Sequence, residues 1–94
     1  MQNYELVMIF KPESDEDEVA STMERICRTV TEDKGSIDER KDWGVRPLSY
    51  PIQWFTEGNY VLADMTMEAK TAVKIEKSMT GAQEVLRYLL VKKD

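Results

Sequence analysis

Pro47 and Pro51 constrain this chain more than any other pair of its residues. They stand in the stretch W-G-V-R-P-L-S-Y-P-I, Trp43–Ile52. Each ring fixes its own φ and drives the preceding residue, Arg46 or Tyr50, toward extended geometry. Val45–Ile52 is therefore an extended segment and not a helix. Each proline also lacks an amide donor, so the segment has to run along the edge of a sheet or just past one. A stiff edge segment that presents Arg46 and Tyr50 reads as a contact surface.

The flanking sequence supplies the rest of that sheet. Tyr4–Phe10, Y-E-L-V-M-I-F, is almost continuously apolar and reads as a central strand, with Tyr4, Leu6, Met8 and Phe10 on one face. Ser14 is the predicted N-cap of a first helix, with Asp17 reaching back to it and Asp15–Glu18 crowding the positive end of the helix dipole. Its apolar stripe is Val19, Met23, Ile26, Cys27 and Val30, and Gly35 is its predicted left-handed exit. Ser36–Val45 is too rich in charge for an interior strand, and charges of this kind keep edge strands from aggregating. Gln53–Asn59 reads as a loop with a turn at Glu57-Gly58. Tyr60–Met67 is a third strand, Glu68–Met79 a second helix buried through Ala72, Ile75 and Met79 and ended by Gly81, and Val85–Lys92 a closing strand.

The order β-α-β-β-α-β is that of a ferredoxin-like α+β sandwich. Two right-handed crossovers place both helices on one face of a four-stranded antiparallel sheet, with the first and third strands central. A chain of 94 residues suits one such domain, 1–94. The other sheet face would then carry Val7, Ile9, Tyr60, Leu62, Leu89 and Val91, where an isolated domain usually shows polar residues. Each such side chain buried in a partner contributes about 1.5–3 kcal/mol before the cost of association. That face is the expected protein-docking surface, with the edge of the second strand as the alternative.

Composition removes several kinds of chemistry. There is no histidine, hence no imidazole base, no Ser-His-Asp triad and no histidine-bearing zinc site. The consecutive acids Asp15–Glu18 point in different directions around a helical turn and cannot converge on one cation, and no phosphate-binding glycine loop is present. Neither a catalytic residue, a metal ligand nor a cofactor or small-molecule site is expected. No apolar run approaches the roughly 18 residues of a membrane span, the N-terminus lacks a signal-peptide layout, and a single cysteine suits a reducing cytoplasm.

The net charge is −5, but residues 1–39 hold 11 acidic and 4 basic side chains whereas residues 40–94 hold 7 and 9. A polyanion is repelled at long range, which disfavours non-specific nucleic-acid binding and leaves room only for a placed contact through the basic half. The third strand also lacks the aromatic signature of an RNA-recognition sheet. Among the cations, Arg46 stands out because the prolines restrict its backbone and its planar donor fork suits phosphate.

Tyr4-Glu5, the segment Gly44–Ile52 with its R-x-L-x-Y-P-I core (Arg46, Leu48, Tyr50, Pro51, Ile52), Gly58-Asn59-Tyr60 and Val85–Lys92 form a pattern that spans essentially the whole chain. In these residues the chain resembles the family of bacterial small-subunit ribosomal protein six. The resemblance implies a structural, non-enzymatic protein of the small ribosomal subunit. It would bind the central domain of small-subunit ribosomal RNA together with the small basic ribosomal protein eighteen. Phosphate contact is expected from Arg46 and Arg87, with Lys92 as a further contact and Tyr50 shaping the surface. Gln2, Asn3 and Pro47 stand where relatives often carry basic residues, and the chain stops at Asp94, without the longer charged tail of many relatives. Two other roles suit the same fold: a small regulatory or ligand-binding module that dimerises through its open face, and a carboxylate enzyme, against which the missing histidine counts.

Overall fold

The computed structural model describes residues 1–93. Its elements run β1 (Gln2–Phe10), α1 (Glu16–Glu32), β2 (Ser36–Ile52), β3 (Phe55–Met67), α2 (Ala69–Thr80) and β4 (Val85–Lys93), the predicted order. The sheet order is β2-β3-β1-β4 with every neighbouring pair antiparallel. The apolar strands β1 and β3 thus fill the centre. The charged, proline-bearing β2 lies at one edge and β4 at the other.

One face of the sheet makes the core. Leu6, Met8 and Phe10 of β1 and Val61, Ala63, Met65 and Met67 of β3 are buried against both helices. From α1 come Val19, Met23, Ile26 and Val30, and from α2 Ala72, Ile75 and Met79. The predicted stripe of α1 needs one correction, because Cys27 is exposed. The buried arc instead takes in Thr22, which is 1% exposed. Its hydroxyl is satisfied by the Glu84 carboxylate and the Glu18 carbonyl, so a polar side chain sits there without loss.

The ends of α1 also differ from the expectation. The N-cap is Asp15, not Ser14: Asp15 is extended (φ −81°, ψ 171°) and its Oδ1 accepts the Glu18 N–H at 2.8 Å. A carboxylate at this place satisfies an orphan donor and meets the positive end of the dipole, which a serine does only in part. At the other end Lys34, not Gly35, takes the left-handed conformation (φ 67°). The Gly35 N–H donates to the Val30 carbonyl at 2.8 Å and the Lys34 N–H to Thr31 at 3.0 Å, a Schellman closure. Gly35 is required for proximity, since a Cβ there would lie 2.5 Å from the Thr66 carbonyl oxygen.

The predicted loop Gln53–Asn59 is mostly strand. β3 begins at Phe55, and a two-residue turn, Gln53-Trp54, joins it to β2 with both residues at positive φ (49° and 71°). Such a turn ordinarily carries Asn-Gly or a similar pair, so its sequence signal is missing here. Glu57-Gly58 imitates a turn but lies within the ladder, Gly58 opposite Arg46. A Cβ on Gly58 would stand 2.3 Å from Ile9 Cγ2, so the glycine allows the hairpin to press against β1.

Asp33, just past α1, ties the two helices together. Its Oδ2 accepts from Lys74 Nζ at 2.9 Å and from the Thr71 hydroxyl at 2.9 Å. The hydrogen bond from Lys74, followed by that from Thr71, holds its carboxyl below the usual 3.8. The folded state therefore gains stability from this group above the unfolded pKa and loses it as pH falls through the lowered folded value. Asp33→Asn is expected to unfold at lower urea at neutral pH and to show a shallower loss of stability below pH 3.8, read from denaturation curves across pH. Gly58→Ala is expected to lower stability by about 1–3 kcal/mol, the usual penalty of overpacking, in the same assay.

Candidate functional site

The β2–β3 hairpin outruns the strand that supports it. β3 pairs with β1 only from Asn59 onward, so Phe55–Gly58 and the facing part of β2 project past the end of β1. The ladder is interrupted between Pro47, opposite Glu57, and Ile52, opposite Phe55. The extra residues on β2 curl this segment across the helix-free face of the sheet. There Leu48, Tyr50 and Ile52 close a cavity of about 210 Å³ together with Val7, Ile9 and Leu89. The proline segment is thus extended, at an edge, and folded over the expected docking face.

This curl brings two of the predicted site residues together. Arg87 of β4 donates to the Tyr50 hydroxyl, and its guanidinium carbon lies 5.9 Å from the centre of the Tyr50 ring. Arg46 makes a second pair of the same kind. Its guanidinium carbon lies 5.2 Å from the Trp43 ring and its Nε donates to the Trp43 carbonyl at 3.3 Å. Trp43 in turn stacks on Tyr60, with ring centres 6.3 Å apart. Two arginines are therefore held over aromatic rings and stay exposed, each with further guanidinium N–H groups that can meet an anion. Lys92 is not part of this group. It is opposite Tyr4 on β4, which places it on the helix side of the sheet.

The open face follows the predicted alternation. Across the sheet Lys41, Leu62, Val7 and Leu89 form one row, and Tyr60, Ile9 and Arg87 the next toward the hairpin tip. Leu89 and Val91 are 56% and 41% exposed, and Val7, Ile9 and Tyr60 are half-buried. Leu62 departs from the expectation. It is only 9% exposed, enclosed by the strands on either side, and supports the patch from within.

Sequence reasoning passed over the two tryptophans. Trp43 is the platform for Arg46, and Trp54 stands at the hairpin tip with 97% of its surface exposed. A tryptophan inside a stretch otherwise read as a polar turn was the available signal, because a solvated apolar ring of that size is unusual outside an interface.

The sequence profile of the family described as ribosomal protein S6 matches residues 3–92. The chain belongs to the ribosomal protein S6 family. It is 36% identical over 94 residues to the small ribosomal subunit protein bS6 of Corynebacterium urealyticum, covering 100% of this chain and 99% of that one. The bS6 protein of Clostridioides difficile is 35% identical over 91 residues, covering 97% and 98%. The crystal structure of 30S ribosomal protein S6 from Thermotoga maritima matches with a TM-score of 0.88 at 26% identity, covering 98% of this chain and 87% of that one. Membership makes the chain a structural protein of the small ribosomal subunit, in the cytoplasm, and not an enzyme.

The hairpin tip holds two side chains in a backbone region that costs an L-residue roughly 1–2 kcal/mol. Replacing Gln53-Trp54 by Asn-Gly is expected to raise stability by about 1 kcal/mol in urea unfolding, because both residues adopt that region readily.

Proposed function

We propose that this small-subunit ribosomal protein binds the central domain of small-subunit ribosomal RNA as one half of a pair with the small basic ribosomal protein eighteen, and so acts in subunit assembly and translation. The single observation that carries this reading is the pairing of two exposed arginines, each on an aromatic ring, with a partly exposed apolar sheet face in a chain of net charge −5. An acidic chain alone repels RNA at long range, and a basic partner on its apolar face would reverse that balance. Arg46 and Arg87 would then meet phosphates, Tyr50 would hold Arg87 in place, and Lys92 would make a separate contact from the other side of β4. Val7, Ile9, Tyr60, Leu89 and Val91 would take the protein partner, with Leu62 beneath them. The whole of 1–94 acts in this reading as one domain.

The test is binding to a central-domain RNA fragment with and without protein eighteen. Affinity should appear with the partner and be weak without it, and tight RNA binding that ignores the partner would sink the proposal. The affinity of the assembled complex should fall steeply as salt rises. Arg46→Ala and Arg87→Ala should each lower the slope of log K against log salt by about one, the value for one phosphate contact.

A further inference from the structure

Trp54 is the most exposed large apolar side chain among the described residues, at 97%, whereas Tyr50, Leu89 and Val91 stand at 54%, 56% and 41%. Both faces of its indole are open, at the tip of a hairpin that projects past the end of β1. The ring is not part of the apolar patch, since the row of Leu62, Val7 and Leu89 lies further down the sheet. Its surroundings are cationic. Between Trp43 and Ala63 the one carboxylate is Glu57. Glu57 pairs with Pro47 and so stands on the opposite side of the hairpin from Arg46, which pairs with Gly58.

Beside the tip a cleft of about 720 Å³ opens between Gln53, the end of α2 and the start of β4. Its polar side chains include Lys11, Arg87, Gln53, Gln83 and Thr80, and no carboxylate lines it among the described residues. This is a local excess of positive charge in a chain of net charge −5. Glu84, next along the chain, turns its carboxylate to Thr22 and Arg25 of α1 instead. The carbonyl end of α2 forms one wall and disfavours an anion there, so a phosphate belongs beside Lys11 and Arg87.

An open aromatic ring with cations beside it matches the two parts of a nucleotide, a π face and a phosphate. A protein hot spot instead needs close contacts around it that exclude water, and a projecting tip with its indole 97% exposed brings none of its own. Bases inside an A-form duplex are closed to such a ring, so its target is a loop, bulge or junction. We propose that Trp54 stacks on an unpaired nucleobase of the ribosomal RNA, with the adjoining phosphate in the cleft beside Lys11 and Arg87. This rests on the RNA binding proposed above and adds a stacking contact that charge pairs do not supply.

The experiment measures binding of the chain, together with protein eighteen, to a central-domain RNA fragment over a range of salt. The unaltered chain is the control, and its failure to bind RNA would overturn the proposed function together with this inference. Given that binding, Trp54→Ala should weaken it about 5- to 150-fold, the range for losing one base stacked on an aromatic ring. Trp54→Phe should restore most of the loss. The slope of log K against log salt should stay the same in Trp54→Ala, because stacking releases no counterions, whereas Lys11→Ala should lower it by about one. The part of the indole emission that Trp54→Ala removes should become shielded from acrylamide when RNA is added. Trp54→Ala should also unfold at the same urea concentration as the unaltered chain, since the ring is 97% exposed. RNA affinity unchanged in Trp54→Ala, or a loss that Trp54→Phe does not restore, would overturn the stacking while leaving RNA binding in place. A loss of pairing with protein eighteen when RNA is absent would assign the tip to the protein interface and overturn it equally.

Discussion

The antiparallel ladder between β1 and β3 is the constraint on which the structure depends. It runs from Gln2 opposite Met67 to Phe10 opposite Asn59 without a break. A period of two along both strands puts Leu6 with Ala63 and Met8 with Val61 on the helix side, and Val7 with Leu62 and Ile9 with Tyr60 on the other. A shift of one residue would exchange the two faces and leave the helices with nothing apolar to cover. The core and the open face are thus two consequences of one register.

The helices close the core by different means at their ends. Asp15 caps α1 with a carboxylate, and the exit at Lys34 lets Gly35 approach the Thr66 carbonyl. A side chain at position 35 would hold β2 away from β3 where that hairpin begins. This contact fixes the start of β2 against β3, at the end of the ladder remote from Arg46 and Tyr50.

The hairpin tip is where sequence reasoning and structure part. The strand order, the edge position of the proline segment and the two faces of the sheet were legible, because hydrophobic period and missing amide donors are local properties. The turn at Gln53-Trp54 was not, because neither residue is one that favours positive φ. Cys27 was placed in the core because it falls next to Ile26 on the helix wheel, and only the packing against Glu84 shows that Thr22 holds that place. Leu62 was read correctly for its face and wrongly for its exposure, since burial on a sheet depends on the neighbouring strands.

By itself the sequence determined the βαββαβ order, the central and edge strands, the absence of imidazole chemistry and the family signature between Arg46 and Ile52. These follow from spacing and residue type along one stretch of chain. The tertiary structure alone decided that Arg87 meets Tyr50, that Arg46 rests on Trp43, and that Glu5, Glu39 and Asp64 share a row. Those pairs lie on different strands or across bulges, and their meeting is set by register and by the curl of β2. The physical reason is that interrupted pairing after Pro47 bends an edge strand over a face, and no local pattern states by how much.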